Sequence, residues 1–187
     1  PQMADASRPG DNLYTSSGVA LDLRTVRMVW HYQQVPHDRW GYDVASSPVL
    51  LEVVQDGKRI PAVAQASKTG WVFVHDRRDG TLLFKSDPFV PQHNLFSPPA
   101  AGEGVVVAPG IAGGANWSPS AYDAKQELFF VGALHLPTRY IAHEVRAPDG
   151  PLPPGNLATL VLFTLIPVVW AACWGWFMSS AVTRPIR

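Results

Sequence analysis

The sequence predicts an all-β fold, on three observations. Short apolar runs of strand length alternate with turn residues from the start of the chain to about residue 147. These runs are rich in valine, isoleucine and aromatic residues, and no stretch before residue 147 shows a sustained helical period. The 15 glycines and 18 prolines supply the turns that many short strands need. The predicted strands cover residues 12–17, 19–22, 28–32, 48–54, 62–66, 71–75, 82–85, 104–107, 120–123, 128–132 and 139–143.

A repeated unit relates these strands to one another. Asp22, Asp76 and Asp123 each end one strand and precede, by seven or eight residues, an aromatic residue in the next strand. The three aspartates are 54 and 47 residues apart, and periods of about 40–50 residues are typical of propeller blades with four strands each. We expect each aspartate to cap a turn and each aromatic residue to pack between blades. The repeat therefore favours a β-propeller over a simple meander of hairpins.

The chain holds about three such units, which are too few to close a ring. A propeller removes the open edges of its sheets only by repeating until it closes. The prediction is therefore an incomplete β-propeller of about three four-stranded blades within a longer protein. Residues 1–147 form this propeller part, residues 148–156 a linker rich in proline and glycine, and residues 157–182 an apolar segment predicted to be helical.

The composition argues against several classes of protein. The 15 basic and 15 acidic residues leave no net charge, so the basic surface typical of nucleic-acid binding is not expected. Cys173 is the single cysteine, which excludes an internal disulfide framework. The sequence also lacks the C-x-x-C-H run that attaches haem.

The repeat resembles the tryptophan-docking motif of the quinoprotein alcohol and methanol dehydrogenases, of the form A-x-D-x-x-T-G-x-x-x-W. In the first copy Val26 stands where that motif has glycine. Valine resists the positive φ that glycine adopts, so we expect this turn to be distorted or of another type. The resemblance implies that the chain supplies about three blades of an eight-bladed propeller that binds pyrroloquinoline quinone (PQQ).

Residues 36–43 are similar to the family segment that carries the catalytic aspartate, and here they read PHDRWGYD. The family form is H-D-x-W-D-Y, so the position of the acid falls on Gly41, which has no carboxylate. Asp43 lies where lanthanide-using members carry an additional metal-ligating aspartate. A carboxylate suits a base as well as a hard metal ion, so Asp43 is the candidate for both roles. The alternative is that Asp38 and Asp43 only cap strand ends.

Two further segments resemble the parts of the family that face the cofactor. Residues 65–74, QASKTGWVFV, place Lys68 where the family has a basic residue beside the quinone oxygens; such a cation would stabilise negative charge that develops there. Residues 113–123, GGANWSPSAYD, place Asn116 and Trp117 at cofactor-binding positions. The alternatives are a solvated lysine in a hairpin and a glycine-rich loop with a packing tryptophan.

The resemblance implies a PQQ-dependent dehydrogenase that oxidises an alcohol or a sugar by hydride transfer to the quinone. It further implies a Ca²⁺ or lanthanide ion as Lewis acid, cytochrome c or a membrane quinone as electron acceptor, and a periplasmic location. The alternative is a non-catalytic propeller that acts as a scaffold for protein assembly. Gly41 favours the scaffold, whereas Lys68 and Asn116 favour the enzyme.

The C-terminal part of the chain has three interpretations. Residues 157–178 are nearly continuously apolar, and a helix of that length spans about 30 Å, the thickness of a bilayer core. Arg184 and Arg187 follow, and basic residues favour the cytoplasmic side, which would leave the propeller in the periplasm. The segment is therefore a membrane anchor, an altered propeller blade or a buried soluble helix.

Overall fold

The computed structural model describes residues 8–143, and in these residues it is all-β, as predicted. None of the described residues belongs to a helix long and apolar enough to cross a membrane. The predicted linker at 148–156 and the apolar segment at 157–182 lie outside the described residues. The strands are β1 Ser17–Leu21, β2 Met28–Gln33, β3 Val49–Gln55, β4 Lys58–Ala66, β5 Val72–Asp76, β6 Leu82–Lys85, β7 Val105–Val107, β8 Ala121–Asp123, β9 Leu128–Phe130 and β10 Thr138–Tyr140.

The strands form one four-stranded antiparallel sheet and three antiparallel pairs in the described part of the chain. The large sheet is a meander in the order β3-β4-β5-β6, and the pairs are β1 with β2, β7 with β10, and β8 with β9. Asp76 ends β5 of the large sheet, before the turn to β6. Its two counterparts take the same place in two of the pairs: Asp22 directly follows β1, before the turn to β2, and Asp123 ends β8, before the turn to β9. By this equivalence, the large sheet is one complete blade, and these two pairs are the last two strands of its neighbours.

The turns that follow the repeated aspartates, here called the docking turns, are closed by the aspartate side chains. Asp22 accepts hydrogen bonds from the N–H groups of Arg24 and Thr25 at 3.0 and 2.8 Å. Asp123 accepts equivalent bonds two and three residues further on at 2.8 and 3.2 Å, and Asp76 accepts one at 2.9 Å. The capping role that the sequence predicts is therefore confirmed in all three copies.

Trp30 joins the first strand pair to the four-stranded blade, as expected of the repeated aromatic residue. Its indole Nε1 donates to the carbonyl of Arg77 at 3.0 Å, and its ring covers Gly80. A Cβ added to Gly80 would lie 2.7 Å from Trp30 Cδ2, so only glycine fits beneath the ring. The docking turn of one blade thus receives the tryptophan of the blade before it.

Two sequence predictions are wrong in detail. The pattern predicts a strand over residues 12–17, but only Ser17 belongs to β1; Asn12 and Ser16 have φ of 56° and 46°, and Thr15 N–H donates back to the Asn12 carbonyl, which makes a turn. The first docking turn was expected to differ from the others because of Val26. Instead Val26 has φ of 57°, matching 79° at Gly80, so the turn keeps its shape with valine in a strained conformation.

Within residues 8–143, the buried apolar side chains form two clusters. One lies within the four-stranded blade around Ala62, Ala64 and Val74. The other joins the irregular segment at residues 35–42 to β7 and β10. Trp40 belongs to this second cluster and donates from Nε1 to the carbonyl of Ser97 at 2.7 Å, so it packs the interior.

Candidate cofactor site

Lys68 lies in the tight turn between β4 and β5, at one end of the complete blade. The turn is closed by a hydrogen bond from Ser67 N–H to the Trp71 carbonyl at 2.9 Å and by one between the Thr69 and Ser67 hydroxyls, also at 2.9 Å. Lys68 is only 6% exposed. The interpretation of a solvated hairpin lysine is therefore excluded.

The ammonium group of Lys68 reaches the segment that resembles the catalytic part of the family. Nζ donates to Asp43 Oδ2 at 2.8 Å and to the carbonyl oxygen of Gly41 at 2.9 Å. A buried charge is tolerated only when such partners replace its water. The side chain of Asp43 is 46% exposed, so the ion pair joins a buried cation to a carboxylate that faces solvent.

Gly41 contributes its backbone rather than a side chain. Its φ is 77°, a conformation that glycine adopts without steric cost, and its carbonyl oxygen is one of the two acceptors of Lys68. The sequence marked this position only as the place of a missing acid. Nothing in the sequence indicated that the Gly41 carbonyl accepts a hydrogen bond from Lys68.

The two glycines of the GGANW segment pack against the turn that carries Lys68. A Cβ on Gly113 would lie 2.3 Å from Lys68 Cγ, and one on Gly114 would lie 2.8 Å from Gly70 Cα. Gly114 N–H also donates to the Lys68 carbonyl at 2.7 Å. We expected these glycines to let backbone approach a ligand, whereas the structure shows that they let two backbone segments of the protein approach each other.

Asn116 follows these glycines and presents an unpaired oxygen. Its Nδ2 donates to the Ala112 carbonyl at 3.0 Å, and its Oδ1 is buried without a hydrogen-bond partner among the described residues. Ala115 N–H donates to the Ser67 carbonyl at 3.2 Å, which ties this segment to the turn of Lys68. Trp117 is 81% exposed and takes no part in the aromatic contacts found in residues 8–143.

Asp38 has a structural role in this arrangement. It is 3% exposed and accepts hydrogen bonds from the N–H groups of Trp40 and Gly41 at 2.9 and 3.0 Å. Ser16 donates from its hydroxyl to the other carboxylate oxygen at 3.2 Å. Asp38 thus caps the turn that leads to Gly41, as the structural alternative proposed, and it fixes the path of the chain towards Asp43.

Two buried tyrosines, which the sequence analysis did not identify, fix residues 40–42 through their hydroxyl groups. Tyr42 is fully buried and donates from its hydroxyl to the Pro109 carbonyl, and Tyr140 donates to the Trp40 carbonyl at 2.7 Å. Burial is the main cause that raises the pKa of Tyr42 above its ordinary value and that of Tyr140 to about 12, with the negative charge of Asp38 adding to both. Both phenols are therefore neutral donors at physiological pH.

These residues fit a polar, planar, anionic cofactor better than they fit a metal ion. Lys68 offers a buried positive charge, Asn116 a buried acceptor without a partner, and Trp117 an exposed flat ring. By contrast, no three His, Cys, Asp or Glu side chains within residues 8–143 lie close enough to hold a metal ion. Hard cations such as Ca²⁺ take six or more oxygen ligands, and Asp43 would supply only one residue of that set.

An incomplete propeller with tryptophan docking and a buried lysine at a blade end is the arrangement expected of a quinoprotein dehydrogenase, and comparison with known proteins agrees. Residues 1–95 match the PQQ family model described as glucose/ethanol/alcohol dehydrogenase, beta-propeller domain. The chain belongs to this family. The predicted resemblance and the all-β, partial-propeller fold are both confirmed.

Individual relatives are similar to the chain over a part of their length. The quinoprotein alcohol dehydrogenase PedH of Pseudomonas putida is 35% identical over 144 residues, which cover 66% of this chain and 24% of that protein. Among solved structures, the quinohemoprotein alcohol dehydrogenase ADHIIG of Pseudomonas putida HK5 has a TM-score of 0.62 at 28% identity, covering 75% of this chain and 22% of its own. A europium-containing methanol dehydrogenase has a TM-score of 0.56 at 27% identity, covering 64% and 23%. The chain thus spans about a quarter of the length of these relatives.

Proposed function

We propose that this chain is part of a PQQ-dependent dehydrogenase that oxidises an alcohol or a sugar. The observation that carries the proposal is the Lys68 ammonium, which is buried and paired with Asp43 in a propeller of the quinoprotein family. An ammonium group has three donors. Gly41 and Asp43 take two of them, and the third is available to an oxygen of a bound quinone.

Bound PQQ would supply the electron acceptor for the oxidation. Lys68 would place positive charge where negative charge develops on that acceptor, an effect that is strong in a site with little water. The unpaired Oδ1 of Asn116 would accept a hydrogen bond from the cofactor and thereby orient it. The exposed ring of Trp117 offers a flat apolar surface on which a planar ligand stacks.

Asp43 supplies the carboxylate that Gly41 lacks. We assign to it the role of accepting the alcohol proton, because it is solvent-accessible and is held by the lysine that faces the cofactor. It is also the residue in the described range that we propose as a ligand for Ca²⁺ or a lanthanide. The remaining oxygen ligands would come from parts of the full-length protein outside residues 8–143.

The scaffold alternative has one observation in its favour, the glycine at position 41. Against it stands the unpaired oxygen of Asn116, since a buried polar atom without a partner costs stability in a propeller that binds no ligand. For the enzyme we further propose a periplasmic location and cytochrome c or a membrane quinone as electron acceptor. Both follow from the family resemblance.

Reconstitution tests the proposed function. The full-length protein, purified with PQQ and either Ca²⁺ or a lanthanide, should retain the cofactor and show quinone absorbance that an alcohol or a sugar bleaches. Failure to retain PQQ with either metal would overturn the proposal. Retention without bleaching by primary alcohols, secondary alcohols and sugars would favour the scaffold.

Asn116→Ala tests the cofactor contact directly. The variant should raise the Kd for PQQ about tenfold, the usual value of one hydrogen bond to a buried polar ligand, and its thermal unfolding temperature should fall only slightly, because its one bond to the Ala112 carbonyl is lost. The matched control is Asn94→Ala, because Asn94 also donates to a backbone carbonyl, that of Val106 at 3.0 Å, but lies outside the site. An equal Kd for both variants would remove Asn116 from the site.

A further inference from the structure

Gln65 connects the Lys68 turn to the segment that carries Asp43. It lies on β4, three residues before Lys68, and its Nε2 donates to the carbonyl of Ser46 at 2.7 Å. Its Oε1 accepts a hydrogen bond from Nε2 of Gln34 at 3.0 Å. Both ends of the Gln65 amide are therefore used, one towards the Asp43 segment and one towards β2.

The segment from Gly41 to Ser46 is irregular and is held at both of its ends by side chains of one short stretch of chain. Lys68 binds the Gly41 carbonyl, and Gln65 binds the Ser46 carbonyl. Asp43 lies between these two points, and its side chain is 46% exposed. Packing alone therefore does not fix its carboxylate, and the two flanking hydrogen bonds hold the chain on either side of it.

The buried pair of Gln34 and Gln65 stabilises the fold less than apolar side chains of the same size would. Gln34 and Ser46 are 8% and 3% exposed, yet Gln34 Oε1 and the Ser46 hydroxyl lack partners among the described residues. Each buried polar atom without a partner costs stability, and apolar side chains of the same shape avoid that cost. A purely structural contact has no use for two amides at this place, whereas a contact that sets the position of a backbone carbonyl needs the donor of Gln65.

We propose that Gln65, supported by Gln34, is a positioning residue that holds residues 41–46 so that the Asp43 carboxylate meets Lys68. It acts through Asp43 and does not touch the cofactor. The inference rests on the proposed function in so far as Asp43 and Lys68 face the cofactor, but the ion pair itself is measurable without cofactor.

The test is the rate at which Lys68 is acetylated in the full-length protein without PQQ, measured by mass spectrometry relative to Lys58 in the β3–β4 hairpin. Gln65→Met keeps the shape of the side chain and removes both hydrogen bonds. We expect Lys68 to react about tenfold faster in this variant, because losing one charge-assisted hydrogen bond raises the fraction of unpaired Lys68 by about that factor. In an Asp43→Ala background, which leaves no side-chain acceptor for Lys68 at this position, the same substitution should have no further effect.

Two controls separate positioning from general loosening of the fold. Gln33→Met removes an amide that also binds backbone carbonyls, those of Asp11 and Thr15, on the neighbouring residue of β2, and it should leave Lys68 labelling unchanged. Gln65→Leu also removes both hydrogen bonds without adding a charge, and it carries the test if Gln65→Met does not fold. An unchanged rate, or an equal rise with Asp43 present and in the Asp43→Ala background, would overturn the proposal.

The affinity for PQQ distinguishes this inference from the proposed function. If Lys68 labelling depends on Gln65 through Asp43 but the wild-type protein binds no PQQ, the positioning role stands and the proposed function fails. If PQQ binds and Gln65→Met changes neither labelling nor affinity, the proposed function stands and the positioning role fails.

Discussion

The docking turns and the turn that carries Lys68 satisfy their charged side chains in opposite ways. In the docking turns, each aspartate accepts hydrogen bonds from N–H groups two or three residues further along the chain. Lys68 instead binds Gly41 and Asp43, which precede it by 27 and 25 residues. Charges that are satisfied locally build the blade, and the charge that is satisfied at a distance brings separate segments together into a site.

The largest expected effect comes from Gly113→Ala, which forces the two backbones at the Lys68 turn apart. The new Cβ would lie 2.3 Å from Lys68 Cγ, and the residue has φ of 79°. We expect a loss of about 3 kcal/mol in the free energy of unfolding, from the clash and from the strained backbone. Chemical denaturation of the full-length protein measures it, and the affinity for PQQ should fall in parallel.

Gly102→Ala is the matched control for that prediction. Gly102 has a similar φ of 71°, but nothing lies within 4 Å of an added Cβ. Its substitution should therefore cost only the backbone strain, about 1–2 kcal/mol, with PQQ affinity unchanged. Equal losses for the two variants would show that Gly113 serves the conformation of its own loop and not the approach to Lys68.

Val26→Gly should act in the opposite direction, because it relieves strain in a docking turn. Valine at φ of 57° is an outlier for a β-branched residue, and the equivalent Gly80 adopts 79° without cost. We expect the variant to be more stable by about 1 kcal/mol. An increase in the thermal unfolding temperature with unchanged cofactor affinity would support the separation of fold and site, and a decrease would contradict it.

The smallest effect appears only in acid and concerns the second docking turn. Side-chain hydrogen bonds from Arg78, followed by its backbone N–H, lower the pKa of Asp76 from 3.8 to about 2. As the pH falls, the Asp76 carboxylate is therefore protonated in the unfolded chain before it is protonated in the folded chain. The stabilisation of the fold by Asp76 is fully present above about pH 4 and is lost as the pH falls towards 2. Asp76→Asn should flatten this part of the stability profile, and an unchanged profile would exclude Asp76 as its cause.

The same contrast explains what the sequence was able to predict. The aspartate caps depend on residues within one turn, so the repeat located all three of them, and the apolar runs located the ten strands of the described residues. Residues 12–17 were mistaken for a strand because the positive φ of Asn12 and Ser16 leaves no mark in an apolar pattern. The expectation at Val26 was wrong for the opposite reason, since the hydrogen bonds that Asp22 accepts maintain a turn that the valine disfavours.

The site was predicted less completely because its contacts are distant in sequence. The family resemblance marked Lys68, Asn116 and Asp43, and the structure brings Lys68 and Asp43 within hydrogen-bonding distance. The resemblance gave no indication that the Gly41 carbonyl accepts a hydrogen bond from Lys68 or that Gln65 holds the same segment. A backbone acceptor and an amide donor to a carbonyl are visible only when the fold is known.

The most direct test of the central claim is the affinity of the full-length protein for PQQ with Lys68→Met, compared with Lys125→Met on the surface. Methionine fills the space of the lysine stem without its charge. If Lys68 faces the cofactor, its loss should raise the Kd for PQQ between about tenfold and a hundredfold, as expected for a charge-assisted hydrogen bond, while Lys125→Met leaves the Kd unchanged. An unchanged Kd for Lys68→Met would contradict the account.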